Sequence, residues 1–125
     1  MKNLLLIVLL LSVGFSQEII HTETYERGGL KSITYFKKTQ DGIEEIFKYE
    51  GYHYSGQKKI EYTYKGLDRR GYPIKDGLWT EWYENGQKSE EKTYKDGKLD
   101  GLFTGWFEDG QKMWEHTYKD GEPVD

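Results

Sequence analysis

The sequence predicts an all-β chain: an antiparallel β-meander of about four repeated hairpins lying in a single sheet. Three observations carry this. First, Asp76–Leu99 laid over Asp100–Pro123 is identical at fifteen of twenty-four positions. Second, Asn-Gly and Asp-Gly dipeptides punctuate the repeat between short runs of β-favouring residues, a hairpin signal. Third, the chain carries 4 Trp, 11 Tyr and 5 Phe but no alanine, so the best helix former is missing while strand formers abound. Aliphatic residues are too scarce for a thick two-layer core, which favours a thin sheet with aromatic faces.

From the N-terminus, Lys2 precedes an apolar run from Leu4 to Val13, followed by Gly14-Phe15-Ser16. This predicts a secretory signal peptide over residues 1–16, cleaved to leave a periplasmic or secreted chain, residues 17–125. The apolar run is shorter than the roughly 20 residues needed to span a bilayer, so no membrane span is expected after cleavage. The absence of cysteine excludes a lipid-anchored lipoprotein and a disulfide framework. The repeat units fall at approximately 22–42, 43–66, 76–99 and 100–123. The first is worn, starting around Tyr25-Glu26-Arg27-Gly28 and closing at Asp41-Gly42, as terminal copies in an array often are. Ten residues, Gly66–Lys75, stand where the later unit has four, Asp96–Leu99, and form an insertion at 66–75.

Within a unit, Asn85-Gly86 and Asp109-Gly110 suit the two central positions of a type I′ turn. A two-residue loop at Asn85-Gly86 predicts Tyr83 opposite Lys88, Glu81 opposite Glu90 and Trp79 opposite Lys92 on one face. The other face then pairs Trp82 with Ser89, Thr80 with Glu91 and Leu78 with Thr93. In the next unit Gly105 faces Trp114, a ring over a bare glycine. The Glu81/Glu90 pair is expected to be exposed. Lys95-Asp96-Gly97 turns the chain into the next hairpin. Stacked units place like residues in columns about 9.6 Å apart, two strand spacings. One face carries Tyr49–Trp79–Phe103 and Tyr64–Tyr94–Tyr118; the opposite face carries Tyr52–Trp82–Trp106, Glu61–Glu91–Glu115 and Thr63–Thr93–Thr117.

The column Tyr52, Trp82 and Trp106 is a candidate stacking platform for sugar rings or for a partner's apolar side chains; the alternative is that the rings pack together and hold the sheet. The acid column is too widely spaced to share one cation. In the insertion, Arg69, Arg70 and Tyr72 are residue types favoured at interaction hot spots, set on a loop of a rigid scaffold. Asp96–Gly101 lacks the alternating oxygen ligands of a calcium loop and reads as a plain turn. The 18 Lys and Arg against 22 Asp and Glu give a net charge of −4, or −5 once Lys2 is removed. That balance excludes a nucleic-acid footprint and disfavours anionic lipid. The three histidines sit at non-equivalent positions, no nucleophile or phosphate motif appears, and Glu90-Glu91 point to opposite faces of a strand. No enzyme, cofactor or metal site is expected.

The units, with an aromatic strand, an N-G-Q or D-G-Q turn and a second strand ending in T-Y-K-D-G, resemble the MORN-repeat variant family over residues 47–121, and more weakly over 22–46. The resemblance implies a hairpin-repeat sheet and no catalytic residues. Bacterial chains of this kind are often labelled YwqK-type antitoxins, while MORN proteins elsewhere are linked to membrane attachment and protein assembly. The export signal sets this chain apart from a cytosolic antitoxin. The sequence therefore points to an exported, non-catalytic scaffold for a protein partner, with cell-envelope glycan binding through the aromatic face and an antitoxin-like role as alternatives.

Overall fold

The computed structural model describes residues 5–7 and 18–124. They form one sheet of ten antiparallel strands, each hydrogen-bonded to its sequence neighbours. These are β1 (Leu5–Ile7), β2 (Glu18–Thr24), β3 (Leu30–Lys38), β4 (Glu44–Tyr52), β5 (Lys58–Leu67), β6 (Pro73–Trp82), β7 (Lys88–Lys95), β8 (Lys98–Trp106), β9 (Lys112–Lys119) and β10 (Glu122–Pro123). No helix occurs among the described residues. The expected leader lies outside them, except for β1, which pairs with β2 through Leu5↔Thr22 and Ile7↔Ile20.

From β2 onward the meander arises because every connection is short and turn-forming. Four hairpins within units share one loop geometry, seen at Tyr25–Gly29, His53–Gln57, Tyr83–Gln87 and Phe107–Gln111, and the loops Thr39–Ile43 and Asp68–Tyr72 repeat it. In each, the first residue's N–H donates to the fifth residue's carbonyl, and the fourth residue's N–H donates back to the first residue's carbonyl. This corrects the expected type I′ turn at Asn85-Gly86. Only Gly86 takes positive φ there (86°), and Asn85 instead accepts the Gln87 N–H on its side-chain oxygen. The result is a type I turn closed by a glycine in the left-handed region. The I′ pairs are the inter-unit dipeptides, Asp96-Gly97 (φ 51° and 82°) and Asp120-Gly121 (φ 49° and 87°).

The longer loop shifts the register, and a bulge shifts it back. Trp82 pairs with Lys88, not Ser89, while Glu81↔Glu90, Thr80↔Glu91, Trp79↔Lys92 and Leu78↔Thr93 hold as expected. Ser89 is the extra residue. The same bulge recurs at Lys31, Lys59 and Met113, each left without a cross-strand partner in its hairpin.

No apolar side chain among the described residues is buried; the buried polar residues are Ser32, Glu50, Thr80 and Thr104. The sheet is a single layer, and each face is half open. We call the face bearing Thr80 and Thr104 the threonine face, and the one bearing Trp79 and Phe103 the ring face.

Candidate functional site

On the ring face one row crosses six strands in register: Tyr49↔Tyr62, Tyr62↔Trp79, Trp79↔Lys92, Lys92↔Phe103 and Phe103↔His116. The first three rings stack face to face, with centroids 4.9 Å apart between Tyr49 and Tyr62 and 4.0 Å between Tyr62 and Trp79. Lys92 Nζ continues the stack, lying 5.4 Å from the Trp79 centroid and 5.0 Å from that of Phe103, while Lys75 reaches Trp79 at 4.7 Å. These are cation–π distances. Each strand contributes one flat or cationic group, so ring faces are occupied by neighbours and mainly ring edges point outward. Burial, and then the neighbouring Tyr64, push the Tyr62 phenol well above its ordinary value and keep it neutral. The Tyr49–Trp79–Phe103 column is thus present, with Lys92 opposite Trp79 as expected, but the sequence argument missed Tyr62 and His116 as its other fillers. Their types differ from copy to copy, so a search for like residues in columns passes over them.

The next row on this face runs Gly51↔Ile60↔Glu81↔Glu90↔Gly105↔Trp114. Trp114 covers Gly105 as expected: a Cβ built on that glycine would lie 2.5 Å from the indole Cε2. Glu81 and Glu90 are half-buried, not exposed as expected. Their charges are kept apart because Glu81 accepts the Trp79 indole N–H at 2.9 Å and Glu90 holds Lys92 at 2.6 Å.

The threonine face carries Tyr52, Trp82 and Trp106 in a common position, but these rings are not a bare platform. Lys58 Nζ lies 5.9 Å from the Trp82 centroid and Lys88 Nζ 5.7 Å from that of Trp106. The same lysines, with Lys112, bind Glu61, Glu91 and Glu115 three residues on. Thr80 and Thr104 donate to Glu91 and Glu115 at 3.4 and 3.2 Å. The second unit places Glu50 where the others have threonine, directly opposite Glu61. Only 6% exposed, Glu50 receives hydrogen bonds from Tyr52 (2.7 Å) and Tyr35 (3.2 Å) and an ion pair from Lys48 (2.6 Å). Burial opposes its charge, but the Lys48 and Tyr52 hydrogen bonds and the Lys48 and Lys58 charges outweigh burial and hold the carboxyl down at about 2. Burial and the Glu50 hydrogen bond push the Tyr52 phenol up in return.

Successive units are fastened by a bond that the sequence argument overlooked. The first loop residue of each hairpin reaches the backbone of the next: Tyr25 Oη donates to Tyr52 O (2.7 Å), His53 Nε2 bonds Trp82 O (2.8 Å) and Tyr83 Oη donates to Trp106 O (2.8 Å). Phe107 occupies this position in the last hairpin, where no further unit follows among the described residues. The available signal was a ring with a polar tip at one fixed place before each turn glycine, changing to phenylalanine at the end. A second bond ties each I′ turn to the first residue of its own unit: Asp76 accepts the Asp96 N–H at 3.0 Å, and Asp100 accepts the Asp120 N–H at 3.3 Å.

The insertion is an extension of the β5–β6 hairpin. Its tip, Asp68–Tyr72, repeats the five-residue loop, with Asp68 accepting the Arg70 and Tyr72 N–H groups at 2.8 and 2.9 Å. Arg69 and Arg70 are exposed, and Tyr72 is 66% exposed. Trp82 stands at the opposite end of β6, about 30 Å away at the rise of a strand. The structure therefore does not bring Arg69, Arg70 and Tyr72 together with Tyr52, Trp82 and Trp106 in one patch. No metal-ligating cluster occurs among the described residues.

The last two units differ unevenly between the faces. Leu78/Leu102, Thr80/Thr104, Trp82/Trp106, Glu91/Glu115 and Thr93/Thr117 are identical, all on the threonine face. Trp79/Phe103, Glu81/Gly105, Glu90/Trp114 and Lys92/His116 differ, all on the ring face. Compared with known families, residues 75–96 match the MORN repeat variant. No curated protein and no solved structure matches the chain significantly.

Proposed function

We propose that this chain, which carries a MORN repeat variant at residues 75–96, is an exported, non-catalytic scaffold that binds a protein partner on the ring face. The observation that carries the reading is a single-layer sheet with no buried apolar side chain among its described residues. Such a sheet leaves extensive half-apolar surface on both sides, and large exposed apolar patches mark interaction sites. The ring face is the better candidate because its side chains change between near-identical units while the threonine face keeps one bonding pattern. A protein partner suits it better than a glycan, since sugar rings stack on aromatic faces and the Tyr49–Tyr62–Trp79 faces are already turned toward one another. With the leader removed, β2 becomes the N-terminal edge of the sheet. The chain immobilised and exposed to an envelope fraction should retain a protein stoichiometrically. Hydrogen exchange on the purified pair should then slow the amides of β4–β8, and Trp79→Ala should weaken the pair more than Trp82→Ala. Retention of glycan alone, or equal losses from both variants, would overturn the reading.

A further inference from the structure

The row Gly51↔Ile60 is equivalent to Gly105↔Trp114, and the flanking Tyr49↔Tyr62 to Phe103↔His116. In the last unit the row is filled from within the chain: the Trp114 indole lies over Gly105, edge-on to Phe103 at 4.7 Å and stacked on His116 at 5.7 Å. In the earlier unit Ile60 Cγ2 lies 2.7 Å and the edge of the Tyr49 ring 3.3 Å from where a Gly51 Cβ would stand. Beside them lies a depression of about 330 Å³ bordered by Tyr25, Tyr49, Gly51, Ile60, Tyr62 and Trp79. Lys31 and Lys59 also line it, and both are the bulge residues of their hairpins. Lys31 also pairs with Glu23 at 3.6 Å on the surface, while Lys59 is exposed, so two consecutive units place a bulge lysine at the rim of the same hollow.

We propose that the hollow over Gly51 receives an aromatic side chain of the protein partner, with an acidic residue of the partner beside it reaching Lys31 and Lys59. This rests on the scaffold reading and adds the chemistry of the anchor. Trp114, packed against Gly105, Phe103 and His116, shows that the equivalent row of this face accepts an indole. The two lysines select an acidic neighbour over a basic one.

The test is a titration of the chain, followed by NMR at the Gly51 amide and the Ile60 methyls, with acetyl-Glu-Trp-Glu-amide, acetyl-Glu-Leu-Glu-amide and acetyl-Lys-Trp-Lys-amide. The acidic tryptophan peptide should saturate these signals and bind about tenfold more tightly than either control. Ile60→Trp should fill the hollow from within and lower the affinity at least about tenfold. Lys59→Glu, at an exposed bulge, should abolish the preference for the acidic peptide. No saturable shift at Gly51, equal binding of the leucine peptide, or an acidic preference that survives Lys59→Glu would each overturn the proposal. If the peptides fail while the immobilised chain still retains its protein, the hollow is wrong and the scaffold stands; if no protein is retained, both fall.

Discussion

Replacing Tyr83 with Phe isolates one inter-unit fastening at the cost of a single oxygen atom. The Tyr83 hydroxyl donates to Trp106 O at 2.8 Å in a half-buried setting, and the ring continues to pack after substitution. A hydrogen bond of this kind contributes a net ~1 kcal/mol, and the stranded Trp106 carbonyl regains only part of its solvation. With an unfolding entropy of about 2.1 cal/mol/K per residue, a domain of this size has roughly 0.2 kcal/mol/K, so the loss lowers Tm by about 4–5 °C. The assay is thermal and urea unfolding read by far-UV circular dichroism and by Trp fluorescence, whose coincidence tests for one cooperative transition. Phe107→Tyr is the control: the new hydroxyl meets no further hairpin among the described residues and should change stability by less than about 0.5 kcal/mol. A Tyr83→Phe chain within about 0.3 kcal/mol of the parent, or a Phe107→Tyr gain matching the Tyr83→Phe loss, would refute the fastening.

Glu50 is held at about 2, below its ordinary 4.5, so the folded chain keeps this carboxylate charged where the unfolded chain protonates it. Its stabilisation, at most about 3 kcal/mol, is complete above the unfolded value and is lost as pH falls through the folded one. Urea midpoints of the parent and Glu50→Gln should therefore differ at pH 6 and converge toward pH 2. Gly105→Ala drives a Cβ to 2.5 Å from the Trp114 ring and should cost about 1–3 kcal/mol by overpacking. In a Trp114→Ala background the same change should be neutral or stabilising, which a double-mutant cycle by urea unfolding will show. Asp96 sits at φ 51°, where a β-branched residue is strained; Asp96→Val should lose about 2 kcal/mol and Asp96→Asn less than about 0.5 kcal/mol in the same measurement.

Strand order, the two faces and the inner register were legible because two near-identical units fix a period, and side chains alternate with period two along a strand. Trp79↔Lys92 and Thr80↔Glu91 needed nothing more. The turn was misread because Asn-Gly satisfies both candidate loops. What decides between them is the Asn85 side chain bonding the Gln87 N–H at 2.9 Å and the Glu108 carbonyl at 2.7 Å, the latter in the next hairpin. The error left the inner register intact because the bulge at Ser89 cancels the added loop residue. The candidate site was less legible. Tyr52, Trp82 and Trp106 drew attention as large repeated aromatics, yet lysines cover Trp82 and Trp106, and repetition here reports a structural job. Tyr62 and His116, the other fillers of the ring row, and the bulge lysines differ in type or place from copy to copy, which column matching does not reach.

The asymmetry between the faces has a physical cause that bears on how such a sheet acquires specificity. On the threonine face each unit's carboxylate is held by its own lysine and by a threonine of the adjoining strand, as in Lys88, Glu91 and Thr80. With neighbours dependent on one another, a substitution there leaves a half-buried charge without its partner, which costs more than an exposed change. Glu50 shows what an exception requires: a second lysine and two tyrosine hydroxyls assembled around one carboxylate. The ring face imposes a looser condition, because a tyrosine, a tryptophan, a phenylalanine or a lysine stem can each fill a place in a stacked row. Residues there can be exchanged without unfastening the array, provided each gap is filled from somewhere. Trp114 fills it over Gly105, the Glu81/Glu90 pair fills it in the unit between, and over Gly51 Ile60 and the edge of Tyr49 stand in its place.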